Sequence, residues 1–92
     1  MIYRRAPSFF RSLRAIADQG QLEAIQKAME TLVQAFETRM PPPPGLGLKR
    51  LQKEIWEIRS GLRDRVLFLW YDDSVTFTLA GNHQDIRRFL KS

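Results

Sequence analysis

The sequence predicts an α+β domain in which a helical hairpin packs on one face of an antiparallel sheet. Apolar residues recur with helical spacing over roughly the first 40 positions, and they alternate with a period of two from residue 53 onward. A stiff segment at 40–47, Met-Pro-Pro-Pro-Pro-Gly-Leu-Gly, separates these two patterns. The predicted order of elements is β-α-α-β-β-β-α, within a single domain that spans residues 1–92.

The composition is that of an ordinary globular protein. The chain is 43% hydrophobic and 27% charged, so it can bury one small core. It contains no cysteine and one histidine, which excludes disulfides and cysteine-type zinc sites, and we expect no metal or other cofactor. Arginines interrupt the window where a signal peptide would need an apolar stretch, and no run approaches the length of a membrane span. We therefore expect a cytoplasmic protein without membrane association.

The charge balance favours a polyanionic or acidic partner. Fifteen basic residues against ten acidic ones give a net charge of +5. A small protein with this excess often meets nucleic acid or an acidic protein segment. The alternative is that the excess only aids solubility.

The first half predicts an edge strand followed by two helices. Residues 1–5 form the strand, Pro7 starts the first helix, and Gly20 is expected to end it. The apolar stripe of this helix consists of Phe9, Phe10, Leu13, Ile16 and Ala17. The stripe of the second helix steps by three and four residues through Leu22, Ile25, Met29, Leu32 and Phe36. Because the join between the helices is short, we expect them to fold back as an antiparallel hairpin.

The second half predicts a three-stranded meander. Residues 53–59 alternate, with Trp56 and Ile58 on one face and Ile55, Glu57 and Arg59 on the other. Residues 65–71 are almost wholly apolar, as expected for a central strand. In residues 75–81 we expect Val75, Phe77 and Leu79 to face inward and Thr76 and Thr78 to face outward. Tight turns join the three strands, so consecutive strands should pair antiparallel.

A short helix closes the chain, and its start carries the only histidine. Asn82 is a suitable N-cap residue with Asp85 three residues later. His83 follows the last strand directly, but Gly81 and the helix start interrupt the alternation, so the pattern does not decide which face it joins. A polar loop residue without chemistry is one interpretation, and a proton-transfer group is the other. Phe89, two turns further, could return toward the same region.

Two arginines should meet on the sheet face that the hairpin leaves uncovered. Arg59 ends one strand and Arg65 begins the next, so the turn between them places the two side by side. Arg65 opens the most hydrophobic strand of the chain, and a charge there must be paired or must serve a site. The alternative is that the basic residues near this edge only discourage aggregation.

Four segments carry a resemblance to a known family. They are Gly-Leu-Gly-Leu-Lys-Arg-Leu at 45–51, Ile-Trp-Glu-Ile-Arg at 55–59, Arg-Val-Leu-Phe-Leu-Trp at 65–70 and Ala-Gly-Asn-His at 80–83. This pattern resembles the RelE/ParE superfamily of toxins from bacterial type II toxin–antitoxin systems, specifically over residues 45–89 and only generically over the hairpin. The resemblance implies two N-terminal helices packed on a curved antiparallel sheet.

The resemblance also implies a function. RelE-like members cut mRNA on the ribosome without a metal, using the RNA's own 2′-hydroxyl to attack the adjacent phosphate. In such a reaction Arg65 would clamp the phosphate and His83 would protonate the departing 5′-oxygen, a proton transfer to which histidine is better suited than arginine. Lys49 and Arg50 fall where relatives carry RNA-binding basic residues, and Phe89 falls near an aromatic residue that stacks on a base.

At the expected general base the sequence departs from the family. One branch of the family has a glutamate near the position of Leu46, and RelE-like members have lysines where this chain has Glu54 and Glu57. Glu57 could act as the base, or it could pair with Arg59 or Arg65. Arg59, on the same face, joins the expected RNA-binding set.

The partners implied are a cognate antitoxin with an acidic binding segment, the ribosome with its mRNA, and operator DNA for the toxin–antitoxin complex. Two alternatives stay open at this point. ParE-like members poison DNA gyrase without cutting anything, and an inactive relative could act only as an interaction module. Arg65 together with His83 favours the nuclease, since a pure gyrase binder needs no acid–base group.

Overall fold

The computed structural model describes residues 1–91 as one five-stranded sheet with three helices. The elements are β1 (Ile2–Arg5), α1 (Pro7–Arg14), α2 (Gln19–Thr38), β2 (Lys49–Gln52), β3 (Ile55–Arg59), β4 (Asp64–Tyr71), β5 (Ser74–Asn82) and α3 (His83–Lys91), with a 3₁₀ turn at Pro44–Leu46. The strand order is β1-β5-β4-β3-β2. β1 runs parallel to β5, and every other neighbouring pair is antiparallel. The predicted α+β class and meander are confirmed.

The main core lies between the sheet and the two N-terminal helices. Its fully buried members include Phe9 of α1 and Leu32 of α2, packed against Val66 and Phe68 of the central strand. Within residues 1–91 no helix is long and apolar enough to cross a membrane.

The boundary between α1 and α2 differs from the prediction. α1 ends at Arg14, and Gly20 lies in the first turn of α2 instead of ending α1. The physical reason is the cap at Asp18, whose side chain accepts a hydrogen bond of 3.1 Å from the amide of Gly20. A satisfied amide at the helix start outweighs the weak helix propensity of glycine.

A fourth strand of the meander was missed. The predicted strand at 53–59 begins too early, because residues 53–54 form a turn and β3 starts at Ile55. The strand that was not predicted, β2, precedes this turn and pairs antiparallel with β3. β2 is a short edge strand on which only Leu51 is partly buried, so it shows no alternation of apolar and polar residues.

A β-bulge in β5 changes which residues enter the core. Leu67 pairs with Leu79 but Phe68 pairs with Phe77, so Thr78 is the extra residue. Its hydroxyl is buried and donates a 3.1 Å hydrogen bond to the carbonyl of Leu67. The predicted inward position of Leu79 and outward position of Thr78 were therefore wrong, and Ala80 takes the core position beyond the bulge.

The sheet face opposite the hairpin, called here the open face, is only partly open. Leu67 and Ile86 are 1% and 2% exposed, and neither belongs to the main core. α3 contacts both β4 and β5. The C-terminal helix thus folds back over part of this face and leaves the β2–β3 side of it uncovered.

Candidate active site

Arg65 lies at the start of β4 on the open face. It stands directly opposite Arg59 of β3 on one side and Gly81 of β5 on the other. Its Nε is 3.6 Å from a carboxylate oxygen of Glu57, and one terminal nitrogen donates a 3.2 Å hydrogen bond to the carbonyl of Asp64. The predicted meeting of the two arginines is confirmed, and the pairing of Glu57 is resolved in favour of Arg65.

The Glu57–Arg65 pair is largely buried, but both side chains keep some exposure to solvent. The two side chains are 11% and 14% exposed, and 3.6 Å is longer than a charge-assisted hydrogen bond. Two arginines facing each other across a strand pair repel, and the neighbouring carboxylate offsets that repulsion. A phosphate has the charge and geometry to replace Glu57 as the partner of the guanidinium.

The side chain of Arg59 packs against a glycine whose contact with it the sequence did not predict. Gly47 has a left-handed φ of 63°, and a Cβ there would come within 2.9 Å of the Cγ and Cδ of Arg59. The stem of Arg59 therefore lies against bare backbone at the end of the 3₁₀ turn. The sequence signal for this contact is the Gly-Leu-Gly that follows the prolines.

The two basic residues of β2 point to opposite faces. Lys49 pairs with Glu57 and so lies on the open face, where it is exposed. Arg50 pairs with Trp56 on the opposite side, and its Nε donates a 2.5 Å hydrogen bond to the carbonyl of Lys53. Of these two predicted RNA-binding residues, the structure brings only Lys49 to the face of Arg65.

His83 is the exposed first residue of α3, directly beyond a reciprocal cap. The amide of Asn82 donates to the Asp85 carboxylate, and the amide of Asp85 donates to the Asn82 side chain, each at 2.9 Å. The predicted cap is confirmed, and His83 takes no part in it. The junction is tight, because a Cβ on Gly81 would lie 2.7 Å from an Asp85 oxygen.

The position of His83 follows from the register of β5 against β4 and from the geometry of α3. Gly81, two residues before His83, is the direct strand partner of Arg65. Around α3, His83 and Phe89 lie about 60° to either side of the buried Ile86. The Phe89 flank lines a cleft against α1, so His83 lies on the flank of α3 that faces away from this cleft.

Phe89 lines this cleft, which has a volume of about 580 Å³ and lies between the end of α1 and α3. Two serines of α1 bind the part of β5 that extends beyond β1, and one of them, Ser12, lines the cleft. Ser8 donates a 2.6 Å hydrogen bond to the carbonyl of Thr78, and the hydroxyl of Ser12 accepts one of 3.0 Å from the amide of Ala80. The amphipathic stripe of α1 did not reveal these roles, because serine on a helix carries no periodic signal.

Within residues 1–91, no group of three or more histidine, cysteine, aspartate or glutamate side chains could hold a metal ion. The arrangement offers instead an enclosed guanidinium, a carboxylate beside it and an imidazole at the adjoining helix start. Such a set can bind a phosphodiester and move protons without a metal.

Comparison with known proteins identifies the fold. No family model matches the chain, and no curated protein matches it in sequence. Among solved structures, the Escherichia coli DinJ–YafQ complex contains a chain 13% identical with a TM-score of 0.75, covering 91% of this chain and 94% of that one. A metal-bound toxin from Helicobacter pylori is 13% identical with a TM-score of 0.71, covering 94% and 98%. YafQ from E. coli strain BL21(DE3) gives a TM-score of 0.67 at 12% identity, covering 91% and 94%.

The chain therefore has a small α+β fold of three helices and one five-stranded sheet. More particularly, it shares this fold with YafQ and with the H. pylori toxin, so the predicted fold is confirmed.

Proposed function

We propose that this protein is the toxin of a type II toxin–antitoxin system and that it cleaves mRNA on the ribosome. The observation that supports this best is the enclosed Glu57–Arg65 pair on the open face, with His83 at the adjoining strand–helix junction. His83 is exposed and lies two residues beyond Gly81, the strand partner of Arg65, so it is the nearest histidine that could donate a proton there.

In the proposed reaction, Arg65 binds the non-bridging oxygens of the scissile phosphate and stabilises the charge of the pentacovalent transition state. The 2′-oxygen forms a bond to phosphorus while the bond from phosphorus to the 5′-oxygen breaks. The products are a 2′,3′-cyclic phosphate and a free 5′-hydroxyl. No metal or cofactor enters these steps.

Two protons must move in this reaction. His83, as imidazolium, gives one to the departing 5′-oxygen. Glu57 accepts the proton of the attacking 2′-hydroxyl. Its present contact with Arg65 makes this role conditional, because the substrate phosphate has to take over the guanidinium before the carboxylate is available. Substrate binding thus activates the base.

The RNA backbone would cross the uncovered part of the open face. Lys49, opposite Glu57 on β2, and Arg59, two residues beyond Glu57 on β3, supply exposed positive charge that suits phosphates flanking the scissile one. Arg50 lies at the sheet edge and would meet the backbone further out. Phe89, on the other flank of α3, would stack only on a base that turns around the helix.

A cognate antitoxin is the proposed protein partner, and its inhibitory segment is expected to be acidic. The net charge of +5 supports this, as does the likeness to YafQ, which is seen in a toxin–antitoxin complex with DinJ. We place the protein in the cytoplasm, with the ribosome and mRNA as its target, and propose that the toxin–antitoxin complex meets operator DNA.

Primer extension on a reporter mRNA after brief induction tests the activity directly. We expect discrete new 5′ ends within minutes in cells that express the wild-type chain. Arg14, exposed at the end of α1, offers a charge-matched control, since Arg14→Ala should cut normally while Arg65→Ala should not. Growth arrest with intact mRNA and inhibited gyrase supercoiling would contradict the nuclease and support the ParE-like alternative.

A further inference from the structure

A glycine and two arginines form a row across the open face at the start of β4. Arg59 of β3 stands directly opposite Arg65 of β4. On the other side of β3, Lys49 of β2 pairs with Glu57. Two residues further along this register, Gly47 lies beside Arg59. Arg59 is therefore placed between a second arginine and a position without a side chain.

The two arginines belong to the closer kind of antiparallel pair. The amide of Ser60 donates a 3.1 Å hydrogen bond to the carbonyl of Asp64, which makes these two residues a hydrogen-bonded pair. Because the two kinds of pair alternate along the ladder, Arg59 and Arg65 form a non-hydrogen-bonded pair, with Cα atoms about 4.5 Å apart. Side chains that rose straight from such a pair would bring two guanidiniums together, which is destabilising.

The two side chains avoid each other by taking different directions. The Nε of Arg65 is 3.6 Å from a carboxylate oxygen of Glu57, so this ion pair runs diagonally between β4 and β3. Arg59 lies to the other side, against Gly47. A Cβ on Gly47 would be 2.9 Å from both Cγ and Cδ of Arg59 and 3.1 Å from its Nε. The missing side chain at residue 47 is thus what leaves room for the stem of Arg59.

Gly47 is held in place by the 3₁₀ turn that precedes it. The amides of Leu46 and Gly47 donate hydrogen bonds of 3.0 and 3.2 Å to the carbonyls of Pro43 and Pro44. Leu46 is buried in the main core, and Gly47 adopts a left-handed φ of 63°. Because the turn is tied to the core, a Cβ at residue 47 has to be accommodated by the side chain of Arg59.

The guanidinium of Arg59 is available to a ligand. Arg59 is exposed, and within residues 1–91 it forms no ion pair. A guanidinium binds one phosphate in a bidentate way. Two guanidiniums held together would converge on a single phosphate, whereas two that point apart can bind one phosphate each.

We infer that Gly47 is a positioning residue, which holds Arg59 apart from Arg65 so that the two guanidiniums bind two successive phosphates of an RNA strand. Arg65 takes the scissile phosphate and Arg59 takes a neighbouring one. The inference deepens the proposed function and rests on it for the identity of the substrate. The separation of the two cations rests only on the register, the hydrogen bonds and the contact with Gly47.

Substitutions at two glycines isolate this contact. Gly47→Ala adds the Cβ that would push the stem of Arg59 toward Arg65, and it also strains the left-handed backbone. Combining it with Arg59→Ala keeps the strain but removes the stem. Gly47→Asn carries the same Cβ, and asparagine tolerates the left-handed region better than alanine does. Gly45→Ala is the matched control, because a Cβ there meets nothing within 4 Å.

The first measurement follows the Nε–H resonance of Arg65 by NMR in the isotope-labelled full-length chain without RNA. We expect Gly47→Ala and Gly47→Asn to shift this resonance, and Gly45→Ala to leave it unchanged. In the Arg59→Ala background, adding Gly47→Ala should cause no further shift. A resonance that ignores both substitutions of Gly47, or that shifts equally with and without the Arg59 stem, would overturn the positioning role.

The second measurement uses 2′-O-methyl dinucleotides, which cannot be cleaved because the attacking hydroxyl is blocked. UpU carries one phosphate, and UpUp and pUpU each add a second phosphate on one side of it. We expect the wild-type chain to bind one of the longer probes roughly tenfold more tightly than UpU, the effect of one charge-assisted contact. Arg59→Ala and Gly47→Ala should each remove this gain, the double variant should match Arg59→Ala, and Gly45→Ala should keep it.

Equal binding of the three probes by the wild-type chain would overturn the inference, as would a gain that survives in Arg59→Ala. Primer extension on the reporter mRNA separates this result from the proposed function. If the wild-type chain cuts no mRNA while the gain is present and is lost in Gly47→Ala, the nuclease fails and the two-phosphate site stands. If mRNA is cut while the probes bind equally, the nuclease stands and the inference fails.

Discussion

Replacing Arg65 by methionine should separate its catalytic role from its structural one. The substitution keeps the apolar stem and removes the guanidinium, which in the proposed reaction holds the transition-state phosphate. Losing one such electrostatic contact costs about 2.7–4 kcal/mol of barrier, so cleavage should fall roughly 10²–10³-fold. The same change leaves Glu57, 8% exposed, without its partner. An orphaned buried carboxylate should lower the free energy of unfolding by about 1–3 kcal/mol.

A second substitution tells the two effects apart. Glu57→Leu in the Arg65→Met background removes the orphaned charge, and an apolar replacement of a buried pair is often neutral for stability. We expect thermal unfolding to return to within a few degrees of the wild type while primer extension still shows no cleavage. Arg14→Met, an exposed charge-matched control, should change neither measurement. A double variant that regained both stability and cleavage would refute the reasoning and make Arg65 purely structural.

Three further outcomes test other parts of the site. His83→Gln keeps hydrogen bonding but cannot donate the proton, so it should lower cleavage about 10²–10⁴-fold with unfolding unchanged; full activity of the glutamine variant in primer extension would exclude proton transfer. Gly81→Ala should clash with Asp85, cost about 1–2 kcal/mol by opening the cap, and lower the melting temperature measured by circular dichroism; an unchanged melting temperature would contradict that close approach. Burial, then the hydrogen bond and charge of Glu37, raise the pKa of Tyr3 to about 12, so its contribution to stability is present below pH 10 and lost as pH rises toward 12. Tyr3→Phe should remove that alkaline loss in unfolding titrations, and an identical alkaline profile would count against it.

Periodicity predicted the elements that bury one face. The stripe of α2 and the alternation of β3 were readable because each places an apolar residue in the core at every turn or every second residue. β2 was missed for the converse reason. An edge strand with little burial needs no pattern, and only its pairing with β3 makes it a strand.

Two parts of the candidate site could be predicted because the residues concerned are close in sequence as well as in space. Arg59 and Arg65 flank a short turn, so antiparallel pairing had to set them opposite each other, and Asn82 with Asp85 carried the signature of a cap. The pairing of Glu57 with Arg65 was one of several alternatives, because alternation assigns a face but not a side-chain contact.

The amino-acid sequence by itself determined the class of the domain, the order of its elements along the chain and its net charge of +5, because these follow from local periodicity, turn chemistry and composition. The tertiary structure alone decided the bulge at Thr78, the fold-back of α3 over Leu67 and the contact of Gly47 with Arg59. These depend on how elements distant in sequence meet, and a single extra residue in a strand reverses every face beyond it. The flank on which His83 lies was therefore set by packing and not by pattern.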